Sequence, residues 1–569
     1  MRRSTKTGRS KEVTLAELRA IVEKTRSSVL SDEEHGKLKA GMDLLRSLIT
    51  ELAGKKASIK RLRKLLFGPK SETSKKILGK PEGSAESGEG EGEEPGVGAG
   101  SGGGGDTSKK KRKGHGRKSA EDYTGATIIH IPHGSLSAGA PCPDPLCAAQ
   151  GGRLYRLEAK RVVRILGQAA LGAIVYLLER LRCSLCGTVY TAKPPAGIGQ
   201  RKYDVTAVSM MAILRYGVGV PLNRLARLQG DLGIPLAATT QWEVVREAEP
   251  LFKPVYDELI REAAQADRFH NDDTDMVVLE ILKEIRALAP SGKTHDRTGI
   301  FTTGIIAVKE SIRIALFFTG REHAGENLSR VLSERHSELP TPIQMCDALP
   351  RNVPQDFETV LCNCMSHARR QYVDVREDFP DECRFVIETL GGVFKNDGIA
   401  RKEGMTAEER LQFHRGDSRR RMASLRLWMY RQLGERRVEP NSGLGEAIKY
   451  MKKHWKKLTR FLFVAGAPVD NNVVERALKK AITHRKNSLF YKTENGARVG
   501  DMYMSIIATC QLAGVNPLDY LNAIQRNAVL VAKDPAAWMP WNWQATMERL
   551  NPSGADPPGA QNSALRSVG

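Results

Sequence analysis

Three carboxylates, far apart along the chain, carry the first chemical suggestion. Asp272 sits in Phe269-His270-Asn271-Asp272-Asp273-Thr274, Asp347 closes the run Pro342-Ile343-Gln344-Met345-Cys346-Asp347, and Glu475 follows Asp470-Asn471-Asn472-Val473-Val474. Carboxylates are hard oxygen ligands and suit Mg2+ or Mn2+. Brought to one place, three of them would hold such ions, and two ions about 4 Å apart support in-line attack on phosphorus without a covalent intermediate. Each acid alone says little, because acids at strand ends are common and mostly solvated. Asp273 and Asp275 stand beside Asp272, so the bare residues leave the choice among the three open.

Sulfur supplies a second donor set. Cys142-x4-Cys147 is followed, about 35 residues later, by Cys183-x2-Cys186-Gly187. Four thiolates in two close pairs suit tetrahedral Zn2+ and leave no open coordination position, so the metal would be structural. The aliphatic, β-branched stretch from Arg161 to Arg182 reads as strands, which makes residues 125–197 a zinc ribbon. Four free or buried thiols are the alternative.

The elements that must position these groups follow from hydrophobic period. From Arg268 the pattern is that of strands: Gly299 to Val308 and Ile312 to Phe318 are apolar runs separated by a short turn, Gly325 to Glu334 reads as a helix, and Pro342 to Asp347 and Val360 to Cys364 read as further strands. Three strands, a helix, a strand, a short helix, a strand and a helix make a mixed α/β sheet of the ribonuclease H-like kind. Val474, Leu478 and Ile482 recur at helical spacing, with Asp470 and the two Asn residues as N-cap candidates and Glu475 in the first turn. Between the two parts of the sheet domain, residues 375–465 read as a basic helical insertion, with helices over Ala407 to Arg421, Ala423 to Leu433 and Gly445 to about Leu462.

Upstream, Leu38, Leu45, Leu52, Ile59 and Leu66 recur every seven residues. That is a short coiled-coil pattern, which leaves self-association and packing within one chain both open. Residues 73–124 are rich in Gly, Ser and Glu and then basic, as in a disordered linker. Residues 198–264 read as three helices. A Gly-containing turn before Ala237-Ala238-Thr239-Thr240 suggests a helix-turn-helix, with Thr239, Thr240 and Gln241 facing phosphates or base edges; an ordinary three-helix unit is the competing reading. The expected divisions are therefore 1–72, 73–124, 125–197, 198–264, 265–374, 375–465, 466–530 and a tail at 531–569.

A net charge of +22 over 569 residues favours a polyanionic partner, nucleic acid first. No apolar run reaches the ~18 residues of a membrane-spanning helix, and the basic N-terminus lacks the apolar stretch of a secretory signal. Nine Cys, four of them grouped like metal ligands, fit a reducing, cytoplasmic compartment.

The chain resembles the insertion-sequence 66 family of Asp-Asp-Glu transposases, from about Leu45 to Trp543. The resemblance runs through Leu66-Phe67-Gly68-Pro69-Lys70-Ser71-Glu72, the Cys pairs and Cys364-x2-His367-Ala368-Arg369-Arg370. It is sharpest at Asp470-Asn471-Asn472-x2-Glu475-Arg476-Ala477-Leu478, Arg485-Lys486-Asn487-x-Leu489-Phe490 and Pro540-Trp541-Asn542-Trp543. By position, the family's three acids fall on Asp272, Asp347 and Glu475. Asp273 stands where the family has Glu, Asp275 where it usually has Pro, and Ala348 where it usually has Gly. The resemblance implies a bacterial, nucleoid-associated enzyme that binds the terminal inverted repeats of its element. It would catalyse Mg2+- or Mn2+-dependent 3′-end cleavage and strand transfer, as a homo-oligomer with two small accessory proteins and no membrane. His367 and Arg369 are then expected to position DNA, and Arg476 and Lys486 to contact phosphates. The alternative is a catalytically inactive DNA-binding regulator or decayed copy.

Overall fold

The computed structural model describes residues 21, 22, 24, 31–39, 139–154, 170–182, 189–191, 201–288 and 297–550. Most of the seven-residue leucine repeat, the Gly-rich linker, Cys183, Cys186 and the polar end after 550 lie outside the described residues.

Residues 139–154 form a tight loop around one helical turn, Pro145–Ala149. Two short strands, β1 (Arg180–Arg182) and β2 (Val189–Thr191), pair antiparallel. Four helices follow: α1 (Val205–Ala212), extended by a π-helical turn at Ile213–Gly217, α2 (Leu222–Asp231), α3 (Ala238–Glu247) and α4 (Glu249–Ala264). The Asp204 carboxylate accepts the Ala207 N–H and starts α1.

The sheet is built from β3 (Arg268–Asp275), β4 (Phe301–Lys309), β5 (Ile312–Gly320), β6 (Ile343–Cys346) and β7 (Val360–Asn363), in the spatial order β5-β4-β3-β6-β7. β3, β4 and β5 are antiparallel neighbours, whereas β6 runs parallel to both β3 and β7. The chain is thus a mixed α/β protein, as the alternation of patterns predicts. Helix α5 (Leu279–Leu288) lies between β3 and β4, where the sequence reading has no helix, and α6 (Ala324–Leu332) joins β5 to β6.

After β7 the chain enters α7 (Met365–Asp374), α8 (Pro380–Lys402), α9 (Ala407–Gly434) and α10 (Gly443–Leu458). It then returns through α11 (Asn472–Ser488) and α12 (Glu494–Leu512) to α13 (Pro517–Arg526), α14 (Ala528–Lys533) and α15 (Trp543–Leu550). α8 is a further helix of the helical insertion, ahead of those the pattern places from Ala407 on. α9 is continuous through Met422, where two helices are expected, because Met422 and Leu425 are both buried on one face. The region 531–550 is packed rather than tail-like: Val531, Trp538 and Met539 are buried, and Tyr520 Oη donates to the Trp538 carbonyl at 2.7 Å.

Two hydrophobic cores result. One joins β3–β5 to α1, α4, α6, α11 and α12, with Phe269, Phe317, Val474, Leu478 and Tyr503 inside. The other lies beneath the inserted helices and takes in Met345 and Cys362 from the sheet together with Tyr372, Leu390, Leu425 and Met451. The inserted helices therefore fold around apolar surface of their own while resting on β6 and β7.

Edge strand β5 is closed by α12 in an uncommon way. Thr509, Ser505 and Asp501, one turn apart on the helix, accept the N–H groups of Ala315, Phe317 and Thr319 at 3.1, 2.9 and 2.6 Å. These alternate donors would otherwise be open to another strand. Burial pushes the Asp501 carboxyl up to about 7, although both Thr319 hydrogen bonds pull it down.

Candidate active site

The parallel β3–β6 ladder brings two of the distant acids to one level. Its last registered pair is His270 opposite Met345. Asp272 and Asp347 each lie two residues further on, so they leave the same end of neighbouring strands on the same face. Parallel neighbours are about 4.8 Å apart. On the other side of β3, Asp272 pairs with Gly304 of β4.

Gly304 is what lets the third acid approach. A Cβ built there would lie 2.8 Å from Leu478 Cδ2 and 3.3 Å from Val474 Cγ2. Helix α11 therefore presses Val474 and Leu478 directly onto the backbone opposite Asp272, with Glu475 next to Val474 in its first turn. The electrostatics agree. Burial raises the Asp272 carboxyl to about 7; the Asp273 N–H opposes this, and the negative charges of Asp347, Glu475 and Asp273 add to it.

The structure separates the roles of the clustered acids on β3. Asp273 points to the opposite face with a side chain only 2% exposed. It accepts from Thr303 Oγ1 at 2.6 Å, from the Ala324 N–H at 3.1 Å, and meets His323 Nδ1 at 3.2 Å. Those bonds tie down the start of α6. Asp275 is exposed, and its carbonyl receives Arg485. Asp272 is the one that shares a face with Asp347.

Asn residues that the sequence reading did not single out as functional hold this geometry. Asn352 Nδ2 donates to Asp347 Oδ1 at 2.6 Å, the Leu349 N–H donates to the same oxygen at 3.0 Å, and Asn363 Nδ2 reaches the Asp347 carbonyl at 3.2 Å. Asn471 is fully buried. Its Nδ2 donates to the Asn271 carbonyl at 3.0 Å, its Oδ1 meets His270 Nδ1 at 3.1 Å, and its backbone N–H donates to Cys364 Sγ at 3.2 Å. The Asp470-Asn471-Asn472 run thus does more than cap a helix. Asp470 makes the local turn by accepting from Asn472 N and Nδ2, while Asn471 fastens α11 to β3 and to the start of α7. Asn471→Ala would orphan two buried partners on β3, the Asn271 carbonyl and His270 Nδ1, and is expected to cost about 2–4 kcal/mol in chemical denaturation.

The other candidate residues divide by exposure. Arg476 and Lys486 are exposed on α11, Thr239 is exposed and Thr240 half-buried at the start of α3, and His367 is partly open on α7. Gln241 is fully buried, and its Nε2 donates to the Leu222 and Leu236 carbonyls at 3.1 Å each. It joins α2 to α3 and does not face DNA, contrary to its expected place. Arg369 is buried at 7% exposure, which removes it from the DNA-facing set as well. Cys142 and Cys147 stand together: a hydrogen bond between their side chains pushes the Cys147 thiol up. Gly152 closes the loop, with the Cys142 N–H donating to its carbonyl at 2.9 Å. A Cβ at Gly152 would lie 2.4 Å from Cys147 Sγ.

Comparison with known proteins decides the family. The family model described as Transposase IS66 family matches residues 202–499, more than half of the 569 residues, a range that contains positions 272, 347 and 475. The chain belongs to the IS66 transposase family. Two relatives are the uncharacterized proteins y4jD and y4hP of Sinorhizobium fredii (strain NBRC 101917 / NGR234). The first is 24% identical over 448 residues, 76% of this chain and 84% of its own; the second is 22% identical over 433 residues, 71% and 74%. A third, y4qI, is 31% identical over 192 residues, 33% of this chain and 35% of its own. Membership implies DNA as the partner of this transposase, and no helix among the described residues is long and apolar enough to cross a membrane.

The donor set at this transposase's acids fits a divalent cation on two grounds. Burial first, and then the negative charges of Asp347, Glu475 and Asp273, raise the Asp272 carboxyl, and a bound cation would offset that charge. Glu475 Oε1 is a buried atom without a hydrogen-bond partner. The sign of the pH dependence follows. Asp272 is raised from 3.8 to about 7 in the folded chain, so its contribution to stability is complete below pH ~4 and is lost as pH rises through ~7. Thermal melting of the metal-free protein is expected to weaken through neutral pH. Added Mg2+ should stabilise more at pH 8 than at pH 6, and Asp272→Asn should remove that difference.

Proposed function

We propose that this chain is a metal-dependent DNA transposase that binds the terminal inverted repeats of its element, cleaves 3′ ends and joins them to target DNA. The observation that carries the reading is the convergence of Asp272 and Asp347 at one level of the β3–β6 ladder, with Glu475 brought in over Gly304. The sheet order, with three antiparallel strands followed by two parallel ones on the other side of β3, supports a ribonuclease H-like catalytic domain interrupted by α8–α10.

Asp272, Asp347 and Glu475 would hold Mg2+ or Mn2+. Bound there, such ions supply Lewis-acid activation of the attacking oxygen and neutralise charge developing at phosphorus. Asn352 and Asn363 fix the Asp347 carboxylate and backbone, and Asn471 fixes the helix that carries Glu475, so the acids are arranged before DNA arrives. Arg476 and Lys486 lie exposed on that helix and would take backbone phosphates, which gives register without sequence. Thr239 and Thr240 at the start of α3 would meet the element end. The paired thiols Cys142 and Cys147, with Cys183 and Cys186, would hold a structural Zn2+. A homo-oligomer, with the element's two accessory proteins, completes the proposed assembly on the bacterial nucleoid.

The test is joining. A pre-cut element end carrying a free 3′-hydroxyl is incubated with supercoiled plasmid, protein and Mg2+. Covalent end–plasmid joints are the expected product. Plasmid cleavage without joints would make the chain a nuclease, and end binding without chemistry, with the accessory proteins present, would make it the inactive regulator.

A further inference from the structure

A second set of donor atoms meets behind the proposed catalytic site. Cys364 Sγ, a ring nitrogen of His367 and a carboxylate oxygen of Glu475 all lie within 4.8 Å of one another. The local fold explains why. Cys364 is the N-cap of α7 and His367 stands three residues on, on the same side of the helix. The start of α11 is sewn to the start of α7 by the Asn471 N–H on Cys364 Sγ and by the Met365 N–H on the Val469 carbonyl at 3.1 Å. Glu475 is thereby held against His367.

Two of these donors have nothing to bond. His367 Nδ1 and Glu475 Oε1 are buried atoms without hydrogen-bond partners, and they stand 3.9 Å apart. That is too long for a hydrogen bond. A buried pair of unsatisfied groups needs an explanation, and an ion is one of the few available. The donor chemistry says which ion. Thiolate, imidazole and carboxylate together suit Zn2+, whereas Mg2+ takes oxygen alone. The sulfur already accepts the Asn471 N–H, and backbone N–H groups at a helix start favour a negative ligand. Three protein ligands leave the fourth tetrahedral position to water.

We propose that Cys364, His367 and Glu475 form a Zn2+ site that draws the Glu475 carboxylate away from Asp272 and Asp347, so that zinc holds the enzyme inactive. The binding stands on the geometry of the three donors; the inhibition rests on the transposase reading.

Zinc is counted on the full-length chain equilibrated at a fixed free Zn2+ concentration, without DNA. The native chain is expected to hold one zinc more than Cys364→Ser, which keeps an acceptor for the Asn471 N–H, and one more than His367→Gln. Equal counts would overturn the site. Circular dichroism melting of each variant separates a lost ligand from a lost fold. Co2+ in place of Zn2+ should add a sulfur-to-cobalt absorption band that Cys364→Ser diminishes. The second arm adds Zn2+ to Mg2+-dependent nicking of element-end DNA. His367→Gln and Cys364→Ser should each need about tenfold or more additional zinc for half-inhibition. Inhibition of the variants at the native zinc concentration would overturn the regulatory half while leaving the count standing. A native chain that does not nick would count against the transposase reading and leave the zinc result intact.

Discussion

Glu475→Gln should abolish metal-dependent cleavage of element-end DNA while leaving end binding within about twofold of the native chain. The substitution keeps the size and most of the packing of the first turn of α11, and Val474 and Leu478 still seat that helix on β4. It would remove one of the three negative donors of the proposed divalent-ion site. Several kcal/mol of transition-state stabilisation should go with it, which is about 10³-fold or more in rate. Nicking assays and gel shifts on the same preparation read both quantities. Joint loss of binding and cleavage would make Glu475 a structural residue of α11. Near-native cleavage would remove it from the site.

Gly304→Val should be nearly as damaging, although residue 304 carries no chemistry. A valine suits a β-strand, so the β3–β4 ladder gains rather than loses local preference. Its Cβ, however, would lie 2.8 Å from Leu478 Cδ2 and 2.9 Å from Leu478 Cγ. The helix has to lift, and Glu475 lifts with it. A displacement of about 1 Å at a reacting group costs on the order of 10²-fold, with an overpacking penalty of about 1–3 kcal/mol in stability. Leu478→Ala in the Gly304→Val background returns the space and should recover part of both losses. Full cleavage by Gly304→Val alone would mean that the closeness of α11 to β4 is not what aligns Glu475.

What could be read from the residues was mostly what local pattern encodes. The apolar runs at Gly299–Val308 and Ile312–Phe318 became β4 and β5, and Asp347 does follow a strand. Local pattern put no helix boundaries on α8, which runs through Gly391-Gly392. There a Cβ on Gly392 would lie 2.8 Å from the Arg421 guanidinium of α9, so the glycine serves close helix contact rather than a turn. Exposure was not legible from residue type. Gln241 and Arg369 look like DNA-contacting side chains, yet both are buried by partners from the fold. Asn471 was visible as a capping residue, but its bonds to Asn271, His270 and Cys364 reach residues more than a hundred positions away in sequence. The distinction between Asp272 and Asp273 needed the sheet, because successive side chains point to opposite faces and only one face carries Asp347.

The most direct measurement is nicking of labelled element-end DNA by the purified chain, with and without Mg2+ or Mn2+, beside Asp347→Ala. The expected result is a metal-dependent break that leaves a 3′-hydroxyl at the element boundary and disappears in Asp347→Ala. Nicking at the same position in Asp347→Ala, or nicking by the native chain in chelator, would contradict it.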